Sequence, residues 1–113
     1  LMHPRGIYRH AANHTVSAEE NGLLLVATAA VAFTLPEKQN GLAFRFLQTA
    51  DANLVILGDA DLICHGNAAA SSVTFSTASQ KIGSHVLVEC LYTGTNTLKW
   101  LVSNLGDTTM TIA

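Results

Sequence analysis

His10 and His14, four residues apart, are the imidazoles of this chain whose spacing best invites a shared metal ion. On a helix that spacing stacks two ligands on one face. On an extended chain the two rings also share a face, but at ~3.3 Å per residue they stand about 13 Å apart, too far for one ion without a bend. Residues 8–10 and 14–17 read as short strands, so no metal and no cofactor is expected. Asp59, Asp61, Cys64 and His65 bring two acids, a thiol and an imidazole close together in sequence. A thiol and its activating histidine normally come from distant positions, because strand neighbours face opposite ways. The group therefore reads as turn acids after Gly58 beside a buried thiol. Ser84 and His85 fail as nucleophile and base for the same reason. With no glycine-rich phosphate loop, paired-carboxylate spacing or nucleophile elbow, no enzymatic activity is expected.

Glu89 is the charge that asks for an explanation. Across residues 85–92, His85, Leu87, Glu89 and Leu91 share one face, and Val86, Val88, Cys90 and Tyr92 share the other. A glutamate in the middle of such a strand meets either water or an opposite charge. The candidate subunit contact pairs it with Arg45 or Lys99, with the two faces of this strand serving as the unlike patches of a head-to-tail assembly. Arg5 and Arg9 join that candidate interface as the basic residues of an extended N-terminal arm, residues 1–12, able to lie along a neighbouring subunit.

The elements that must position these residues are strands. Val31, Phe33 and Leu35 alternate with smaller residues before the turn chemistry of residues 36–41. Leu42, Phe44 and Phe46 alternate with Ala43, Arg45 and Leu47, which puts the large apolar groups on one face and Arg45 on the other. Residues 23–27, 53–57, 62–65, 73–76, 85–92 and 98–102 read as further strands, and residues 68–72 as a loop too short to nucleate a helix. Turn signals recur every ten residues or so, the spacing of a sandwich or barrel, and no helical period appears. The expectation is an all-β, single-domain antiparallel sandwich or barrel, jelly-roll-like, over residues 13–113, with no solenoid repeat. Its core is Val31, Phe33, Leu42, Phe44, Phe46, Leu54, Ile56, Val86, Val88, Leu98 and Trp100. Cys64 and Cys90 are expected as free thiols packed in strands.

Composition narrows the function. The chain has 113 residues, of which 49% are hydrophobic and 12% charged, with a formal charge of −2. That is ample apolar material for one core and too little charge for disorder. Six Lys and Arg residues do not make the basic face that phosphate backbones require, so no nucleic acid is expected. Apolar runs fall far short of the ~20 residues needed to span a bilayer, so no membrane partner is expected, and residues 1–5 lack the apolar stretch of a secretory signal, so export by that route is not expected. So bland a surface fits a protein that is partly covered.

Phe33-Thr34-Leu35-Pro36, a polar turn, Gly41-Leu42-Ala43-Phe44-Arg45-Phe46, Asn53-Leu54-Val55-Ile56 and Gly83-Ser84-His85-Val86-Leu87-Val88 lead to Trp100, with Glu20 and Gly22 ahead of the first strand. The order resembles bacteriophage virion β-domains: capsid decoration, or cement, proteins and related head- and tail-fibre modules. The resemblance covers about residues 15–102. It implies a virion structural protein on the outer capsid surface, a homotrimer that binds the major capsid protein and stabilises the shell. The alternative is a glycan- or receptor-binding β-domain of a phage fibre, which would want an exposed aromatic platform.

Overall fold

Alternating apolar residues form strands here because each pleat buries one side chain in two. The computed structural model describes residues 7–64, 66–106 and 108–113. Its strands are β1 (Ile7–His10), β2 (His14–Thr15), β3 (Leu24–Ala27), β4 (Val31–Thr34), β5 (Ala43–Gln48), β6 (Leu54–Cys64), β7 (Asn67–Phe75), β8 (His85–Gly94), β9 (Thr97–Asn104) and β10 (Thr111–Ile112), with one 3-10 turn at Ala18–Glu20. The protein is all-β, one nearly closed barrel-like sheet in the order β1-β3-β5-β8-β9-β6-β4-β2, to which β7 adds on β6 and β10 on β7. Among the described residues no helix is long and apolar enough to cross a membrane.

The expected purely antiparallel pairing is corrected. β1 pairs parallel with β3, β3 with β5, β2 with β4, β4 with β6 and β6 with β9. The first half of the chain winds as three stacked coils, β1–β2, β3–β4 and β5–β6, each a strand, a corner and a second strand. Parallel neighbours need long returns, and the segments carrying the 3-10 turn and the Pro36 turn supply them without a helix. Stacked partners such as His14 with Phe33 and Phe33 with Ile56 lie at uneven sequence offsets, so a repeat present in the backbone leaves no period in the residues. The second half, β6–β7 and β8–β9, is antiparallel hairpin as expected.

Every expected core residue except Leu98 is buried, and Leu98 packs against the core half-buried. Phe33 packs against Phe46 with ring planes tilted by 45° and centroids 4.8 Å apart, and Phe44 meets Trp100 at 6.0 Å. Cys64 and Cys90 are free and buried, and burial pushes both thiols up from their usual range. Residues 68–72, expected as a loop, belong to β7. Their low strand propensity is overridden because β6 offers a complete ladder and Ala70 and Val73 reach the core. Residues 7–10 of the expected arm are β1 of the sheet.

β6 is one strand with an irregularity where two were expected. Leu57 pairs with Ser72 and Leu62 with Ala70, and the extra residues between them bulge out. Gly58 is required there by close approach, since a Cβ would fall 2.3 Å from the buried Leu62 Cδ2. Asp59 and Ala60 follow with φ of 52° and 64°. Alanine in that region is strained by about 1–2 kcal/mol, partly offset by the greater freedom glycine has when unfolded. Ala60→Gly is therefore expected to raise stability by about 0.5–1 kcal/mol in a urea titration; a loss would show that Ala60 is not held left-handed.

Candidate functional site

The winding places the predicted interface residues on the outer side of β1-β3-β5-β8-β9. Register sets Ile7, Leu24, Arg45, Leu87 and Ser103 side by side across five strands. The next row carries Ala43, Glu89 and Leu101, and beyond it Leu91 faces Lys99. Arg9 lies beside Val26 on the same side and is exposed. The outer face is thus leucine-rich, with Arg45 exposed and Glu89 half-buried in it. Among the described residues neither has an ion-pair partner. Arg5 lies outside the described residues.

Two parts of the interface expectation change. The opposite face of β8 is core, with Val86 and Val88 fully buried and Cys90 nearly so, so the strand offers one contact surface and not two. Tyr92 shares their phase but is 55% exposed towards the end of β8. Lys99 is engaged within the chain. Its Nζ lies 3.4 Å from Asp61 Oδ1, while Lys38 Nζ sits 2.9 Å from Asp61 Oδ2. Burial raises the Asp61 carboxyl, but the two ammonium groups outweigh burial and hold it below the usual carboxylate range. Of the two expected partners of Glu89, Arg45 is the one with no ion pair among the described residues.

Asp61 borders an open groove of about 640 Å³ between the Pro36 turn and the β6 bulge, lined also by Asp59, Glu37 and Trp100. Trp100 is only 1% exposed, so its indole is a floor and not a stacking platform for a sugar. Asp59 and Asp61 prove to be bulge and ion-pair acids. Cys64 is a buried thiol, and His65 lies outside the described residues. Ser84 is fully buried and His85 half-buried on the outer side of β8.

His10 and His14 come together, against expectation. β1 and β2 are the two ends of the sheet path, and the three-residue corner 11–13 turns the chain between them. The bend that an extended chain lacks is this corner, fixed by the Thr28 N–H donating to His10 O (3.0 Å) and the Ala32 N–H donating to Asn13 Oδ1 (2.9 Å). The imidazoles stack with centroids 4.1 Å apart and planes 22° from parallel, and both meet Phe33 edge-on. Glu20 completes the group from the 3-10 turn. His14 Nε2 lies 3.0 Å from each Glu20 oxygen, and the Ser17 N–H donates to Glu20 Oε1 at 2.8 Å. One ligand atom from each of the three lies within 4.8 Å of the others. His10 Nε2 is buried with no hydrogen-bond partner.

The electrostatics of the trio are mutual. Burial lowers the His10 pKa and the neighbouring His14 lowers it further, against the opposing pull of Glu20. For Glu20 burial acts upwards, but the Ser17 and His14 hydrogen bonds and the charges of both histidines outweigh it and hold the carboxyl low. Strand alternation gives no sign of the role of Glu20 beside the two histidines. The available signal is Ser17 followed three residues later by Glu20, the spacing of a capped helical turn.

Compared with protein-family models, with curated proteins and with solved structures, the chain matches none.

Proposed function

We propose that the chain is a structural module of a bacteriophage virion, a capsid decoration protein that assembles as a homotrimer on the outer capsid surface and clamps the major capsid protein beneath it. The observation that carries this reading is the outer face of β1-β3-β5-β8-β9, where Leu24, Leu87, Leu91 and Leu101 surround Arg45 and Glu89. Apolar area with a few fixed charges is the composition of a subunit contact, and the order of strands and turns resembles virion β-domains. In a trimer Glu89 of one copy meets Arg45 of the next, leaving other apolar surface to the shell.

Light scattering on the eluting full chain tests the assembly. Removing one member of a desolvated charge pair costs about 2–5 kcal/mol, whereas an exposed surface charge contributes less than about 1. Glu89→Ala is expected to shift the trimer–monomer balance at least tenfold further than Glu37→Ala, which alters an exposed residue of the Pro36 turn. A monomer at every concentration with no affinity for a capsid lattice, or equal effects of the two substitutions, overturns the reading.

A further inference from the structure

We propose that His10, His14 and Glu20 bind one zinc ion at the seam where the two ends of the sheet, β1 and β2, come together, and that the ion is a structural clip, independent of any role in assembly. Two imidazoles and a carboxylate form a donor set that zinc accepts, whereas calcium and magnesium prefer oxygen alone. The donors are already gathered. A tetrahedral ion with ligand bonds of about 2.0–2.1 Å asks for ligands roughly 3.4 Å apart. His14 Nε2 and Glu20 are within that distance, and the whole trio lies within 4.8 Å. Small side-chain rotations bring His10 in.

His10 is the second, independent pointer. Its Nε2 is enclosed without a hydrogen-bond partner, which costs stability unless something occupies it, and a metal ion does so. Its pKa is lowered by burial and by His14, so the ring is ready as a neutral ligand. Ser17 fixes the Glu20 carboxylate from behind, as outer hydrogen bonds do at metal sites, and Phe33 forms an apolar floor under both rings. The corner residues 11–13 are exposed, so the ion reaches the site from solvent. On binding, zinc takes the place of the His14–Glu20 hydrogen bond, with the neutral His14 ring ligating through Nε2 and carrying its N–H on Nδ1.

The test is the thermal midpoint of the EDTA-stripped full chain with and without excess zinc chloride. Zinc is expected to raise the midpoint by about 5 °C or more, because the ligands exist as a set only in the folded chain. His10→Phe keeps a ring against Phe33 and His14 but has no donor. Glu20→Gln keeps an acceptor for the Ser17 N–H but loses the charge. Each is expected to lose most of the zinc response, while His85→Ala retains it. Cobalt(II) should give the visible absorption of a four- or five-coordinate ion in the wild-type chain. If His10→Phe does not fold, Glu20→Gln and the cobalt spectrum decide. No zinc shift in the wild type, a shift undiminished in Glu20→Gln, or a cobalt spectrum of the hexaaqua ion overturns the proposal.

Discussion

Phe44→Ala is expected to cost about 3–5 kcal/mol of folding stability, the range for deleting a buried aromatic ring from a packed core. Phe44 is fully buried on β5, the strand that joins the coiled half of the chain to the β8–β9 hairpin. Its ring lies 6.4 Å from Phe46 and 6.0 Å from Trp100, so removing it takes contacts from both halves at once. Neighbours hydrogen-bonded into β3 and β8 cannot move in to fill the space. Phe44→Leu, which keeps most of the volume, should cost about 1–1.5 kcal/mol. Urea titration with an unchanged slope measures both. A loss under about 1 kcal/mol for the alanine variant would mean that β5 is half a pleat out of phase, with Arg45 inward.

Gln48 is expected to be nearly as sensitive, for a different reason. It is the large polar side chain buried completely in the barrel, and each end of its amide is used. Nε2 donates to Ala29 O at 2.9 Å and to Asn53 O at 3.2 Å, while Oε1 accepts from the Ala50 N–H at 3.0 Å. One amide therefore ties the β3–β4 corner to the β5–β6 corner. Asn53 O also accepts from the Val31 N–H, so Gln48→Leu strands mainly Ala29 O and the Ala50 N–H. At about 1–3 kcal/mol for each polar group left unpaired, the substitution should cost about 2–4 kcal/mol despite adding apolar surface. Gln48→Glu should restore part of this below the pH at which the carboxyl ionises, where a protonated acid can still donate. A leucine variant as stable as the wild type would mean that water, and not Gln48, serves the corners.

The phase of the sheet was legible in the residues and its direction was not. Val31, Phe33, Phe44, Phe46, Val88 and Trp100 show their burial through alternation, because period two is a property of one strand alone. Whether β3 lies parallel or antiparallel to β5 depends on where the chain returns, and a return through a 3-10 turn resembles any polar loop. The same limit hid the histidine trio. Distance along a strand separates His10 from His14, and only the corner between them, held by hydrogen bonds from Thr28 and Ala32, reverses that conclusion. Outward residues such as Glu89 and Arg45 were readable as a face, while Asp61's hold on Lys99 spans 38 positions and leaves no local trace. β10 is a short pairing of Thr111 and Ile112 onto β7, too brief to carry a pattern.

The coiled first half also governs how the chain reaches its native state. A hairpin such as β8–β9 closes over a turn of two residues, Thr95 and Asn96, and can form early. A parallel neighbour forms only after the whole intervening return has been gathered, and the entropy of closing that loop is lost before any ladder bond repays it. Such topologies fold in milliseconds to seconds, slower than helical domains of equal length. The ladder bonds of β1 run only to β3, and those of β3 on its other side to β5, so this edge pairs late if the sheet grows outward from the β8–β9 hairpin. Before β1 docks, the outer edge of β3 is a bare row of amides and carbonyls, and at high protein concentration that edge can accept β1 from a neighbouring copy.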